Sequence, residues 1–186
     1  MVIYADNAAT TQLDTDAFEA MKPFLLENYA NPSGAYSYSK KAKQAIKAAR
    51  KTIAECINAE PEQIYFTSGG TESDNWAIKG FALSDYDYKA VITSQIEHHA
   101  ILNSCYDIER LKHPVAYLPV DCKGVVATDT LNRYISDRTG LVSVMTANNE
   151  IGTIEPIKEL AQIAHSHGAL FHTDAVQAVG HIPIDV

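Results

Sequence analysis

Short apolar runs alternate along this chain with longer stretches whose apolar residues recur every three or four positions. The runs are QIYFTS (63–68), KAVITS (89–94), PVAYLP (114–119), GLVSVMTA (140–147) and ALFHTD (169–174). Most are nearly continuous rather than alternating, the pattern of strands covered on both faces. Residues 40–57 place Ala42, Ala45, Ile46, Ala49, Ile53 and Ile57 on one helical stripe. Residues 71–83 carry Trp76, Ile78 and Phe81, and residues 155–167 begin with Pro156 and end near Gly168. The last of these has a helix start signal and a stop signal. Such a βα succession predicts an α/β fold with a mostly parallel sheet and helices on both faces. Segment 28–39 (NYANPSGAYSYS) reads as a loop, long enough for a connector to hint at function.

Composition narrows the class. The chain has 186 residues, 46% hydrophobic and 20% charged, and a formal net charge of -8. That balance suits a globular domain and argues against bulk nucleic-acid binding, which needs a basic surface. No apolar run approaches the ~18 residues of a membrane span. The start, MVIYADNAATT, lacks the charged and apolar parts of a secretory signal. Cys56, Cys105 and Cys122 form neither a C-x-x-C pair nor a disulfide framework, so a cytoplasmic setting is expected. The basic stretch 40–51 reads as a solvated helix face.

Chemistry-bearing residues gather where strands end. TSGGTESDN (67–75) joins an apolar run to a helix, so the amides of Gly70, Thr71 and Glu72 are offered to an anion at a helix start. A plain turn and cap is the alternative. The segment has neither the spacing of a P-loop nor that of a dinucleotide fold. Asp174 ends a strand; a carboxylate there needs good donors or a cationic partner such as a protonated ring nitrogen, or else serves as a helix N-cap. Gln177 lies three residues on, placed either as a donor to a ligand oxygen or as a capping partner of Asp174. Asn148 and Asn149 follow another strand. His98 and His99 point apart and make a poor metal pair, but one ring could stack on a flat ligand and move a proton near neutral pH. The cysteines have no neighbouring base in sequence and are not read as nucleophiles.

Taken together and in order, these motifs resemble the N-terminal part of class V enzymes that use pyridoxal 5'-phosphate (PLP), specifically cysteine desulfurases of the NifS/IscS type. The resemblance rests on YADNAATT (4–11), NPSG (31–34), IYFTSGGTESDNWAIKG (64–80), EHHAIL (97–102), SVMTANNEIGTIEPI (143–157) and HTDAVQAVGHIPIDV (172–186). It implies part of the large domain of a fold-type-I PLP transferase at 41–186, preceded by an N-terminal segment and substrate-side loop at 1–40. It also implies roles. Gly70 and Thr71 hold the cofactor phosphate, His98 stacks on the ring and is the candidate catalytic side chain, and Asp174 pairs with the ring nitrogen. Asn149 and Gln177 contact the side bearing the phenolic oxygen. Asn7, Ala8, Thr10 and Asn31 approach the substrate, with Tyr36 and Ser39-Lys40 departing from the residues common in relatives.

The implied reaction removes sulfur from L-cysteine, leaving alanine and an enzyme persulfide that passes to an acceptor or scaffold protein in iron–sulfur or tRNA thiolation pathways. A homodimer is implied as well. Relatives carry a Ser-x-His-Lys segment and a loop cysteine beyond the position equivalent to Val186. Lys79, Lys89, Lys112, Lys123 and Lys158 do not match that lysine motif, so these 186 residues are expected to be an N-terminal part without turnover of its own. A selenocysteine lyase or another class V aminotransferase, and a non-catalytic interaction fragment, are the other readings. In relatives two further strands lie between 169–174 and 63–68. The four runs 89–94, 114–119, 140–147 and 169–174 are therefore expected to form one sheet, with 63–68 apart from it.

Overall fold

The computed structural model describes residues 2–84 and 87–186. The chain divides into two compact units, Met1–Phe66 with Pro183–Val186, and Thr67–Ile182. Helix 40–57 therefore stands with the N-terminal unit.

That unit holds helices α1 (Thr15–Leu26) and α2 (Lys40–Ile57). Sequence patterning did not anticipate α1. It begins because Asp14 Oδ1 accepts from the amides of Asp16 (2.8 Å) and Ala17 (3.0 Å), the standard N-cap exchange. Helix α2 has the expected limits and ends where Asn58 takes a left-handed backbone conformation (φ 59°). Of its stripe, Ala42 is buried, along with Ala54, whereas Ile53 remains exposed. Asn58 Nδ2 donates to Asp185 (2.8 Å) and the Val186 amide to Ile57 O (3.1 Å), fastening residues 185–186 to the end of α2. Run 63–68 is not a strand. Arg50 Nε donates to Ile64 O (3.1 Å) and its guanidinium lies 5.3 Å from the Phe66 ring centre. Side-chain contacts with α2 thus hold 64–66, and no ladder forms on them among the described residues.

The second unit is the sheet. Strands β1 (Ala90–Ser94), β2 (Val115–Leu118), β3 (Thr139–Ser143) and β4 (Leu170–His172) are all parallel, in the order β2-β1-β3-β4. These are the four runs expected to pair. Helices α3 (Gly70–Ser84), α4 (His99–Arg110), α5 (Thr128–Tyr134) and α6 (Ile157–Ser166) complete the unit. Side-chain alternation along each strand sends Ile92 and Val142 to a cluster with Leu131, Leu160 and Ala164 of α5 and α6. It sends Val91 and Leu141 to a second cluster with Ile78, Ile101 and Cys105 of α3 and α4. With both faces covered, the strands read as continuous apolar runs. The stop read at Gly168 is real: it takes φ +73° and its amide donates to His165 O (2.9 Å), while Ala169 N donates to Ala164 O (3.0 Å). Because every strand runs the same way, the carboxyl ends of β1, β3 and β4 share one edge, and the segments leaving them carry most of the candidate residues.

Candidate active site

The start of α3 is open. Glu72 and Ser73 amides return to Gly69 O (3.1 and 3.2 Å), while the Gly70 and Thr71 amides find no acceptor among the described residues. Glu72 reaches back over the first turn: its Oε2 accepts from Ser68 N (2.6 Å) and Ser68 Oγ (2.7 Å), and these donors hold its carboxyl below the usual range. A Cβ on Gly70 would come within 2.6 Å of Val176 Cγ2, so glycine lets the turn after Asp174 approach the helix start. Two unclaimed N–H groups at the positive end of a helix make an anion seat.

Asp174 is buried just beyond β4. Its Oδ1 accepts from the Val176 amide (2.9 Å), and its backbone oxygen accepts from the Thr146 amide (2.8 Å). The other carboxylate oxygen takes no hydrogen bond from a described residue. No helix follows, since 176–178 form a turn, which removes the N-cap alternative for Asp174 and the matching capping-partner alternative for Gln177. Gln177 is half-buried in that turn. Two neighbours of Asp174 escaped the sequence reading. Asp74 of α3 is buried, and its carboxyl is pushed up to about 7, first by burial and then by the charge of Asp174. His172 lies between them: Nε2 is 3.8 Å from Asp74 Oδ1 and Nδ1 is 2.9 Å from Ser143 Oγ. Burial lowers the pKa of His172, opposed by Asp174.

A second group surrounds a cavity of about 280 Å³ between the segments 95–99 and 148–151, which brings His98 and Asn149 together. His98 is the N-cap of α4. Its Nδ1 accepts from the Ala100 amide (3.1 Å), which fixes the ring and places its proton on Nε2. His99 is turned nearly perpendicular to it, at 84° and 6.3 Å between ring centres, as expected for side chains that point apart. Behind the cavity, Asn148 Nδ2 donates to Ile96 O (2.8 Å), and Asn148 Oδ1 accepts from the amides of Glu150 (2.8 Å) and Ile151 (3.0 Å). Glu97, also missed, is buried; Oε1 accepts from Ser94 Oγ (2.6 Å) and Met145 N (3.0 Å). Its signal in the sequence was an acid set between an apolar strand and two histidines. Asp174, Gly70 and Thr71 do not line this cavity; they group about the 174–177 turn.

Asn7, Ala8, Thr10 and Asn31 lie in the N-terminal unit and are exposed. The Ala9 and Thr10 amides return to Asp6 O, and Asn31 Oδ1 accepts from the Ser33 amide (2.9 Å), so both segments contain local turns. Of the cysteines, Cys56 and Cys122 are exposed and Cys105 is buried, with a thiol pushed up to about 12 by burial. No cluster of metal-ligating side chains occurs among the described residues. Lys79 is paired with Asp107 (2.7 Å).

An α/β unit with an anion seat and a buried acid beyond its parallel strands is suited to a ligand that carries a phosphate and a basic ring nitrogen. The chain matches the aminotransferase class-V family model over residues 3–186, and it belongs to that family. It is 55% identical over 185 residues to cysteine desulfurase IscS of Methanosarcina thermophila, across 99% of this chain and 46% of that protein. A solved structure of a NifS-like protein superposes with a TM-score of 0.97 at 38% identity, covering 100% of this chain and 52% of the other. A structure described as SspA in complex with cysteine gives 0.96 at 39% identity, covering 98% and 53%. The chain spans about half the length of the curated relatives it matches. Enzymes of this family use PLP, and the residues present fit that group. The unclaimed amides suit a phosphate, the unengaged oxygen of Asp174 suits a protonated ring nitrogen, and the capped His98 ring is exposed beside Asn149.

Proposed function

We propose that this chain provides the cofactor-binding part of a PLP-dependent cysteine desulfurase, which takes sulfur from L-cysteine and leaves alanine. The observation that carries the proposal is Asp174: a buried acid with one oxygen committed to its own turn and the other unclaimed. PLP, when bound, supplies the electron sink for the reaction. The Gly70 and Thr71 amides bind its phosphate. Asp174 keeps a proton on the ring nitrogen, since a buried carboxylate favours a charged hydrogen-bonding partner. His98 Nε2 and Asn149 orient the ring from the cavity side, and Gln177 faces the phenolic oxygen. Asn7, Ala8, Thr10 and Asn31 serve the substrate side.

The relatives named as cysteine desulfurases and the cysteine in the SspA complex support the substrate class. Transfer to a sulfur-acceptor protein, assembly as a homodimer and a cytoplasmic setting, in which exposed Cys56 and Cys122 stay reduced, belong to the same proposal. The test is a difference-absorbance titration with PLP on the parent chain and on Asp174→Ala and Gly70→Val. Saturable binding by the parent that is lost in both variants is the expected result. Equal binding by all three proteins would remove the site assignment.

A further inference from the structure

Glu97 has no part in the reading above, yet it is a buried acid whose side chain is bonded to two separate strand exits. It sits between β1 and α4, directly before His98. Its Oε1 gathers the hydroxyl of Ser94 at the end of β1 and the amide of Met145 just past β3. Its Oε2 is buried without a hydrogen-bond partner among the described residues. Ser94 Oγ in turn accepts from the Ile96 amide (3.3 Å), and Asn148 Nδ2 reaches back to Ile96 O. Two side chains of opposite hydrogen-bonding character therefore cross the same gap. Glu97 ties the segment that carries His98 to the exit of β3, and Asn148 ties the segment that carries Asn149 to the exit of β1.

We infer that Glu97 is a positioning residue: through Ser94 and Met145 it clamps the His98 segment to the Asn149 segment, so that ring and amide face one cavity at a fixed separation. The inference rests on the PLP reading for its purpose, but the clamp itself is a property of this chain. Burial pushes the Glu97 carboxyl up to about 7 against the help of Ser94 and Met145, and the charges of Asp174 and Glu155 push the same way. Cys105 faces it from α4, with its thiol raised beyond the neutral range. One oxygen that accepts twice and one without a partner suit a group that need not carry charge. A glutamine keeps such an acceptor; an alanine does not.

Amide hydrogen exchange without cofactor tests the clamp on the parent chain, Glu97→Gln and Glu97→Ala. In the alanine variant the Met145 amide should exchange roughly tenfold to a hundredfold faster, the scale of a lost buried hydrogen bond, while Val142 and Leu160 keep their protection. In the glutamine variant Met145 should stay protected. The pH profile adds a readout that simple packing does not move. An acid whose folded pKa lies above its free value stabilises fully below the free value and loses that contribution as pH rises through the folded one. Stability of the parent to urea should therefore decline between about pH 4.5 and 7, and Glu97→Gln should flatten the decline. PLP titration completes the set: Glu97→Ala should weaken binding about tenfold, with Glu97→Gln within about threefold of the parent. Unchanged exchange in Glu97→Ala, or a glutamine variant as unprotected as the alanine one, overturns the clamp. A parent that binds no PLP but shows the exchange pattern keeps the clamp and removes the cofactor reading. Should Glu97→Ala fail to fold, Glu97→Gln and the parent's pH profile decide.

Discussion

The two ends of the candidate site are built by opposite means. At the α3 start, donors are left over: the Gly70 and Thr71 amides have no acceptor among the described residues, and the nearby acid, Glu72, is engaged by Ser68 instead. Around His98 and Asn149, polar groups are used up. His98 caps α4, the Asn148 side chain makes four ties to its surroundings and that of Glu97 makes two. A seat of unclaimed amides binds by supplying what a ligand lacks, and it fails when something fills it. A knitted frame binds by holding rings and amides still, and it fails when one tie is cut and a buried group is stranded. Asp174 joins both styles, with one oxygen tied and one unclaimed.

The largest expected effect is at that junction. Asp174→Ala should weaken PLP binding on the order of a hundredfold, since charge-assisted hydrogen bonds are worth about twice neutral ones. Asp174→Asn keeps an acceptor for the Val176 amide but not the charge, so it should fold normally and still bind poorly by absorbance titration. Near-parental affinity in the asparagine variant would separate the turn from the charge and undo the comparison.

Next comes filling the seat. Gly70→Ala puts a methyl 2.6 Å from Val176 Cγ2, which should cost roughly tenfold in PLP affinity. Val176→Ala in the same chain leaves 3.9 Å to the next atom, an ordinary contact, and should restore most of the loss. If the double variant stays as weak as the single one, the Gly70 amide position rather than space is at fault.

The third prediction concerns pH. Asp74 should titrate near 7 when folded against an ordinary value of 3.8. Its contribution to stability is therefore complete below about pH 3.8 and lost as pH climbs to about 7. Asp74→Asn should flatten that segment of the urea-denaturation profile, gaining on the parent as pH rises. Because Asp174 supplies part of the shift, Asp174→Asn should move the Asp74 midpoint back toward acid. An Asp74 midpoint unmoved by Asp174→Asn would show the two acids to be uncoupled.

The smallest effects separate the two jobs of His98. Asparagine is also a good N-cap, so His98→Asn should keep the α4 start while losing the ring, whereas His98→Ala should in addition cost about 1 kcal/mol of stability. His99→Ala should change PLP affinity little. Melting temperature and titration on the three variants give the answer, and a His99 loss matching that of His98 would reassign the stacking ring.

Much of the fold was legible because burial on both faces writes itself into sequence. Val91 with Ile92 and Leu141 with Val142 are adjacent pairs that feed opposite cores, so their strands had to be apolar throughout. Helix α2 was readable to its limits. Helix α1 was not, because none of its side chains is buried and Pro23, a residue that usually ends helices, lies inside it, so the cap at Asp14 was its only clear sign. Helix α4 was hidden by its own motif: EHHAIL was weighed for chemistry, and the stripe of Ile101, Cys105 and Ile108 beneath it went unread. The short α5 had too few turns to show a period. Run 63–68 has strand composition, but a strand is a pairwise object, and composition does not supply a neighbour.

The site divided the same way. Gly70, His98, Asn149 and Asp174 stood out by residue type at the ends of runs. Glu97, Asp74 and His172 matter through contacts that join residues far apart in sequence, such as Glu97 to Met145 and His172 to Asp74. No local pattern encodes those pairings.

The cap at α4 carries one further consequence. An imidazole that accepts through Nδ1 has its only lone pair engaged, so the ring nitrogen of His98 left to meet a ligand is a donor, Nε2. The ring is thus a one-sided donor held by the same contact that caps a twelve-residue helix: a ligand that swung it out of place would strip the Ala100 amide of its acceptor.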